Sequence, residues 1–323
     1  MHPLSGRRHL HRSLGAVCVA VLLAACSSSA DTGQGDETSE PEISATPPMS
    51  GTVGLELPLD TYDVTREEAN ALQEGQGVLI SRCMERFGFR YSLPPRPAAT
   101  ATREANALIF GVVDENEVAR YGYSAPEDAQ PSRRTPQNLT PSEELALNGA
   151  PDLKPPDMPK SQAEAVKDGG GKERINGKAV PVGGCGREAF LKLYAPEPNA
   201  VDAMYVFNLK AQAESRARED SRTKAVNKHW SDCMARSGHT ATDPMNATTE
   251  LGIADDALAS PAAITAAKAD VGCKKEVNLV GIYFAVQSAY QNRLIDKNAE
   301  TLDLAKKQLT DRLKLAASLI SAP

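Results

Sequence analysis

The chain contains one cysteine motif twice. The segment "ISRCMERFGFRYSLP" spans residues 80–94, and "WSDCMARSGHTATDP" spans residues 230–244. Aligned without a gap, the two segments share Ser81/Ser231, Cys83/Cys233, Met84/Met234, Arg86/Arg236, Gly88/Gly238 and Pro94/Pro244. A second pair of segments, "GCGREA" at 184–189 and "GCKKEV" at 272–277, shares Gly-Cys, a basic residue and Glu. We therefore predict two related halves, in each of which the Gly-Cys segment opens a further helix.

The four cysteines of these motifs allow three disulfide connectivities. The repeat favours Cys83–Cys185 and Cys233–Cys273, because each bond then lies within one half. A zinc site would also use four thiolates, but it usually takes two of them from a C-x₂₋₄-C element, which is missing here. A redox pair would require C-x-x-C or an activated, exposed thiolate. The preferred interpretation is two structural disulfides, with no metal ligand among the cysteines.

The N-terminus resembles an export signal. Arg7, Arg8 and Arg12 precede an apolar run at 14–25 that is too short to span a bilayer. The run ends in Leu-Ala-Ala-Cys at residues 23–26, which looks like the lipobox of bacterial lipoproteins. We predict a signal peptide at 1–25 and a diacylglycerol on Cys26. An ordinary signal peptide with a chance cysteine is the alternative, and both the general secretory and the twin-arginine export routes stay open.

The charge distribution bears on partners and on order. The signal contains three arginines and no acidic residue, so its removal changes the formal charge from −6 to −9. An acidic chain with no basic stretch does not favour nucleic acid as a partner. Residues 26–56 are acidic, contain no Lys or Arg and have few large apolar residues. We predict a disordered tether there, followed by a first half at 57–198 and a second half at 199–323.

Helical spacings dominate the rest of the chain, so the predicted fold class is mainly α. Thr65 and Glu68 form a capping box that opens a helix ending near Gly88. A second helical segment runs from about residue 201 to Gly238, with a break near Asp220-Ser221. Ser260-Pro261 begins the C-terminal helical region. Strand candidates are few: "FRYSL" at 89–93 and "LIFGVV" at 108–113 could pair, or the latter could form a helical turn.

The halves differ mainly in the loop between their cysteines. The first half contains Pro-, Gly- and charge-rich sequence around 124–183, where we predict a long irregular insertion with at most short helices.

An apolar stripe follows the C-terminal helix. Its members are spaced at three, four and seven residues: Ile282, Val286, Ala289, Tyr290, Ile295, Leu302, Leu309, Leu313, Ala316 and Ile320. Core packing of a long helix is the preferred interpretation, and a coiled-coil seam for a partner protein is the alternative.

Recognised catalytic patterns are incomplete. After signal removal the chain has two histidines, His229 and His239, both beside the second Cys-Met motif, and it has no G-x-S-x-G. "SRTK" at 221–224 lacks the companion motifs of penicillin-interacting enzymes. "GKERINGKA" at 171–179 has one residue too many for a phosphate-binding loop. We therefore predict no catalytic residue and no cofactor.

The lipobox, "LPLDTY", the paired motifs, "PVGGCGREA" and "DVGCKKEVNLVGIYFAVQSAYQNRLI" together resemble a group of uncharacterised actinobacterial lipoproteins, over most of residues 57–300. The resemblance implies a helical protein outside the cytoplasm, lipid-anchored at the outer leaflet of the cytoplasmic membrane, and it implies no activity. The expected role is non-enzymatic binding of an envelope component, such as an envelope protein. A ligand-binding or transport-associated lipoprotein is the alternative, followed by an envelope enzyme.

Overall fold

The computed structural model describes residues 39–93, 106, 108–125 and 138–322. Its internal contacts divide the chain into Met1–Ser39 and one compact unit, Glu40–Pro323. All the elements described here belong to this second unit, which includes the described parts of both predicted halves. Pro94 and Cys26 lie outside the described residues.

The predicted mainly α class is confirmed. The α-helices in the described residues are α1 Arg66–Arg86, α2 Glu115–Tyr121, α3 Pro141–Asn148, α4 Gln162–Lys167, α5 Gly184–Tyr194, α6 Tyr205–Glu219, α7 Ser221–Arg236, α8 Ala247–Glu250, α9 Pro261–Glu276 and α10 Leu279–Ser321. Short 3₁₀ turns form at Pro58–Tyr62, Pro155–Asp157 and Asp255–Ala257.

Sheet structure is limited to one hairpin in the part of the chain that the structure describes. Its strands are β1 Arg174–Ile175 and β2 Lys178–Ala179, paired antiparallel. Asn176 and Gly177 between them have φ angles of 50° and 77°, the left-handed backbone of a two-residue hairpin turn, which Asn-Gly favours. The pairing considered for 89–93 with 108–113 does not form, because neither segment contains a strand.

Three predicted helix boundaries are confirmed by their caps. Thr65 Oγ1 accepts the Glu68 N–H at 3.2 Å, and Glu68 Oε2 accepts the Thr65 N–H at 2.9 Å, which completes the capping box. Asp220 leaves the helical region between α6 and α7, and its carboxylate accepts the Arg222 N–H at the start of α7. Ser260 caps α9 through the Ala263 N–H at 3.2 Å.

Both favoured disulfides are present. Cys83–Cys185 joins the end of α1 to the first turn of α5, and Cys233–Cys273 joins the end of α7 to α9. The expectation that each Gly-Cys segment opens a helix is correct for α5 and wrong for the second half. There, Cys273 lies near the end of α9, because the helix starts upstream at Pro261 and continues through an alanine-rich sequence.

The C-terminal stripe packs inside the unit. Val286, Leu302 and Ala316 are fully buried, and α10 packs on α1, α6 and α5. Most of the stripe therefore packs in the core, as the preferred interpretation expects, while Ile320 at its end is 37% exposed. The helix is kinked at Asn298, whose φ and ψ are −117° and 19°. Its side chain donates to the Leu294 carbonyl at 2.7 Å.

The compact unit begins before residue 57. Glu40 accepts hydrogen bonds from the Ser221 N–H at 2.6 Å and from the Ser221 hydroxyl at 2.7 Å. Met49 N–H donates to Asn278 Oδ1 at 2.9 Å, and Leu55 is buried in the core around α7. Residues 40–56, predicted as part of the tether, thus contact the helical unit. The prediction rested on the acidic composition of this stretch and gave no weight to its few apolar side chains, which pack on the helices.

None of the described helices has the length and apolar character needed to cross a membrane.

The disulfides are expected to contribute strongly to stability. The bonds close loops with sequence separations of 102 and 40 residues. In the chain-entropy model, removing them by paired Cys→Ala substitution lowers the free energy of unfolding by about 5 kcal/mol for Cys83/Cys185 and about 4 kcal/mol for Cys233/Cys273. Urea unfolding followed by circular dichroism measures both losses. A loss below about 1 kcal/mol for either pair would contradict a stabilising role.

Candidate functional site

Each disulfide is the centre of a small set of equivalent residues, which we call a cysteine unit. The first cysteine unit comprises Ser81, Cys83, Met84, Arg86, Gly88, Cys185 and Glu188, and the second comprises Ser231, Cys233, Met234, Arg236, Gly238, Cys273 and Glu276.

The backbone of the two units is the same where α1 and α7 end. Gly88 and Gly238 have φ angles of 89° and 82°, a left-handed conformation that ends a helix and suits glycine. The next residue donates its N–H to the methionine carbonyl, Phe89 to Met84 at 3.1 Å and His239 to Met234 at 2.9 Å.

The serines secure the chain beyond this turn. Ser81 Oγ donates to the Tyr91 carbonyl at 2.9 Å, and Ser231 Oγ donates to the Ala241 carbonyl at 2.6 Å. In both units the serine thus holds a backbone carbonyl ten residues downstream.

An arginine–glutamate ion pair lies beside each disulfide. Arg86 Nη2 is 2.5 Å from Glu188 Oε2, and Arg236 Nη2 is 2.5 Å from Glu276 Oε1. In each pair both residues are three positions beyond a bonded cysteine, about one helical turn. The shared arginine of the Cys-Met segment and the shared glutamate of the Gly-Cys segment therefore join the same two helices as the disulfide does.

The disulfides bear on the zinc alternative considered for the cysteines. All four sulfurs are bonded in disulfides, so in this structure none of them is a thiolate ligand for zinc. Within the described ranges, no group of three or more His, Cys, Asp or Glu side chains could hold a metal ion.

The surroundings of the two ion pairs differ. The Glu188 side chain is 12% exposed, whereas the Glu276 side chain is 59% exposed. Lys192 provides Glu188 with a second cation at 2.5 Å. Lys178, from β2, donates to the Arg86 carbonyl at 2.6 Å and so attaches the hairpin to the end of α1.

The two cations decide the charge state of Glu188. Burial alone would raise its pKa, but hydrogen bonds from Arg86 and Lys192 outweigh burial and hold the pKa below the usual glutamate value. Glu188 is therefore ionised at neutral pH, which makes it a poor proton donor.

A groove of about 370 Å³ lies next to the first cysteine unit. The insertion provides most of its lining, from α4 and from the chain around the hairpin, while Arg86, Phe87 and α5 provide the rest. Phe87 and Leu191 contribute buried apolar surface. The charged lining residues are Arg86, Lys178, Lys192, Glu188 and Asp168, a net formal charge of +1 on a chain whose total is −6.

The second cysteine unit is adjacent to a buried ion pair instead. Trp230 Nε1 donates to Asp270 Oδ1 at 2.9 Å, and Lys274 Nζ lies 3.1 Å from Asp270 Oδ2 and 3.0 Å from the Val112 carbonyl. Burial raises the pKa of Asp270 and lowers that of Lys274. The positive charge of Lys274 partly offsets the rise at Asp270, and the negative charge of Asp270 partly offsets the fall at Lys274. Both charged side chains are buried in the interior of the second half.

The remaining sequence patterns lie away from the groove or contribute only the hairpin to it. The "SRTK" residues form the first turn of α7, and "GKERINGKA" contains the β-hairpin. His229 is exposed on α7, and His239 follows the terminal glycine. Asp270 and Lys274 were missed, because charges four residues apart on a helix usually indicate a solvated face. The groove was missed because its walls lie far apart in sequence.

A scan against protein-family models, a search of curated proteins and a search of solved structures each found no match to this chain.

Glu188 and Glu276 are expected to contribute differently to the free energy of unfolding. At pH 7, Glu188→Gln should lower the free energy of unfolding by about 1–2 kcal/mol, because it leaves two cations beside a largely buried neutral group. Glu276→Gln is the matched control and should cost less than about 1 kcal/mol, because its ion pair is exposed. Urea unfolding of both variants measures the difference.

The same measurement has a pH dependence. Because the folded-state pKa of Glu188 is lowered, its contribution is complete above the unfolded pKa of about 4.3 and is lost as the pH falls through the folded value. The difference in the free energy of unfolding between wild type and Glu188→Gln should therefore shrink as the pH falls below the unfolded pKa and on through the folded pKa. A gap that stays constant or widens toward acid would contradict the assignment.

Proposed function

We propose that this chain is a lipid-anchored binding protein of the cell envelope, held by Cys26 at the outer leaflet of the cytoplasmic membrane. The lipobox at residues 23–26 supports the anchor. The two disulfides support a location outside the cytoplasm, because such bonds persist in oxidising compartments. A diacyl group contributes two acyl chains, enough for stable attachment.

Binding rather than catalysis is the role favoured by the groove chemistry. A general acid is usually a carboxyl whose pKa is raised towards the working pH. Glu188 has the opposite property, since Arg86 and Lys192 hold it ionised. Paired cations that keep further N–H donors are suited to orienting a bound molecule.

The groove is the observation that carries the proposal. Most of the C-terminal stripe, considered as a partner-binding face, is packed in the core. The groove combines apolar surface with a few convergent charged groups. Its volume of about 370 Å³ falls in the range of small-molecule sites. The groove therefore favours a ligand-binding or transport-associated lipoprotein over an adaptor for a large envelope protein.

Photo-crosslinking in intact cells tests the proposal. Val166 lines the groove and is 69% exposed, and Phe207 on α6 is 59% exposed and is absent from the groove lining. p-Benzoylphenylalanine replaces either residue in the lipidated chain. We expect an adduct at position 166 and no equivalent adduct at position 207.

The mass of the adduct separates the two kinds of partner. An increase of a few hundred daltons identifies a small ligand, and a shift of a whole protein band identifies an envelope protein. Equal labelling at positions 166 and 207, or no labelling at position 166 in a folded and anchored protein, would contradict the proposal.

A further inference from the structure

We propose that the groove beside the first cysteine unit binds an amphipathic anion: a compact apolar body that bears one carboxylate or phosphate. This inference rests on the proposed function and adds the chemical class of the ligand. The groove is defined by its lining, chiefly Phe87, Val166, Leu191, Arg86, Lys178 and Lys192.

The apolar part of the groove matches an apolar body. Phe87 and Leu191 are buried beneath it, and Val166 stands on its rim with its side chain largely in solvent. Covering an exposed valine and the surface around it with an apolar group is favourable, because it removes apolar surface from water.

The charged part of the groove matches an oxyanion. Arg86 and Lys192 both contact Glu188, one on each of its carboxylate oxygens, so the glutamate holds the two cations in place. Lys178 is brought to the same end of α1 by its bond to the Arg86 carbonyl. A guanidinium has five N–H donors and an ammonium has three. The contacts to Glu188 and to the Arg86 carbonyl thus leave donors for a ligand carboxylate or phosphate.

The acidic lining residues do not cancel this preference. Glu188 is compensated by its two cations, and Asp168 is exposed at the end of α4. Three cations against two carboxylates leave a positive site on an acidic protein, which favours anions over cations.

The second half shows what the insertion adds. Its ion pair, Arg236–Glu276, has the same length but is open to solvent on both sides, with side chains 60% and 59% exposed. In the first half, Arg187 donates to the Pro159 carbonyl at 2.7 Å, and Gln162 N–H donates to the Ala195 carbonyl at 2.8 Å. These bonds hold the start of α4 against α5 and form one wall of the groove. The same cysteine unit thus serves as a scaffold in one half and as part of a site in the other.

Calorimetric titration tests the ligand class on the whole mature chain, residues 26–323 with Cys26→Ala to avoid detergent. The probes are octanoate, octyl phosphate and, as the charge-reversed match, octyltrimethylammonium. We expect saturable binding of at least one anion and none of the cation, and the tighter anion identifies the headgroup. Amide resonances of groove residues such as Val166 and Lys178 should shift with the bound anion.

Matched variants locate the recognition. Arg86→Gln and Lys192→Gln should each weaken binding of the anion about tenfold, which is the loss of one charge-assisted hydrogen bond. Arg236→Gln removes the equivalent ion pair of the second half and should leave the affinity unchanged. Thermal unfolding confirms that each variant is folded, and Lys178→Gln replaces any variant that is not.

The outcomes separate this inference from the proposed function. Binding of the cation as tight as that of the anions, an equal loss in Arg236→Gln, or no binding of either anion to the folded chain would overturn the inference. If an adduct still formed at position 166 in cells, the binding function would stand with a ligand of another class. The absence of that adduct would overturn the function itself.

Discussion

In both halves of this protein a helix end is covalently bonded to a second helix, and an arginine meets a glutamate about one turn beyond the disulfide. The disulfide restricts the unfolded chain and sets the distance between the helices. The ion pair adds a second contact between the same helices, and a glycine with positive φ turns the chain away at once. In each half a serine hydroxyl then donates to a backbone carbonyl ten residues downstream and fixes the path of the chain beyond the turn. Helix α10 packs on α1 and α5 of the first half and on α6, α7 and α9 of the second.

The functional proposal depends on how the two junctions differ. In the second half, Trp230, Asp270 and Lys274 fill the space near the disulfide, and the Arg236–Glu276 pair faces solvent. In the first half, the inserted chain with α4 and the hairpin lies over the equivalent ion pair and leaves a groove. The first cysteine unit thus borders a groove, whereas the second lies beside a buried ion pair. The contrast also provides the matched variants, since both copies contain the same residues in different surroundings.

Local and repeated features of the fold could be predicted from the sequence. The Thr65 capping box, the Asp220 break and the disulfide pairing depend on neighbouring residues or on the repeat itself. The packing of residues 40–56 could not be predicted, because it rests on single side chains such as Leu55 in an acidic stretch. The groove depends on how Arg86, the hairpin and α5 come together in space, which no spacing along the chain encodes. The Asn-Gly pair at 176–177 is typical of a hairpin turn, but the segment was compared only with a phosphate-binding loop, so the hairpin was missed.

Mapping the disulfides of the protein isolated from cells without reduction tests the central claim most directly. Proteolysis followed by mass spectrometry should recover the peptides that contain Cys83 and Cys185 as one linked pair, and those that contain Cys233 and Cys273 as the other. This result would establish that each half is closed on itself. A dominant Cys83–Cys233 linkage, or free thiols at all four positions, would contradict the two junctions on which the fold and the groove depend.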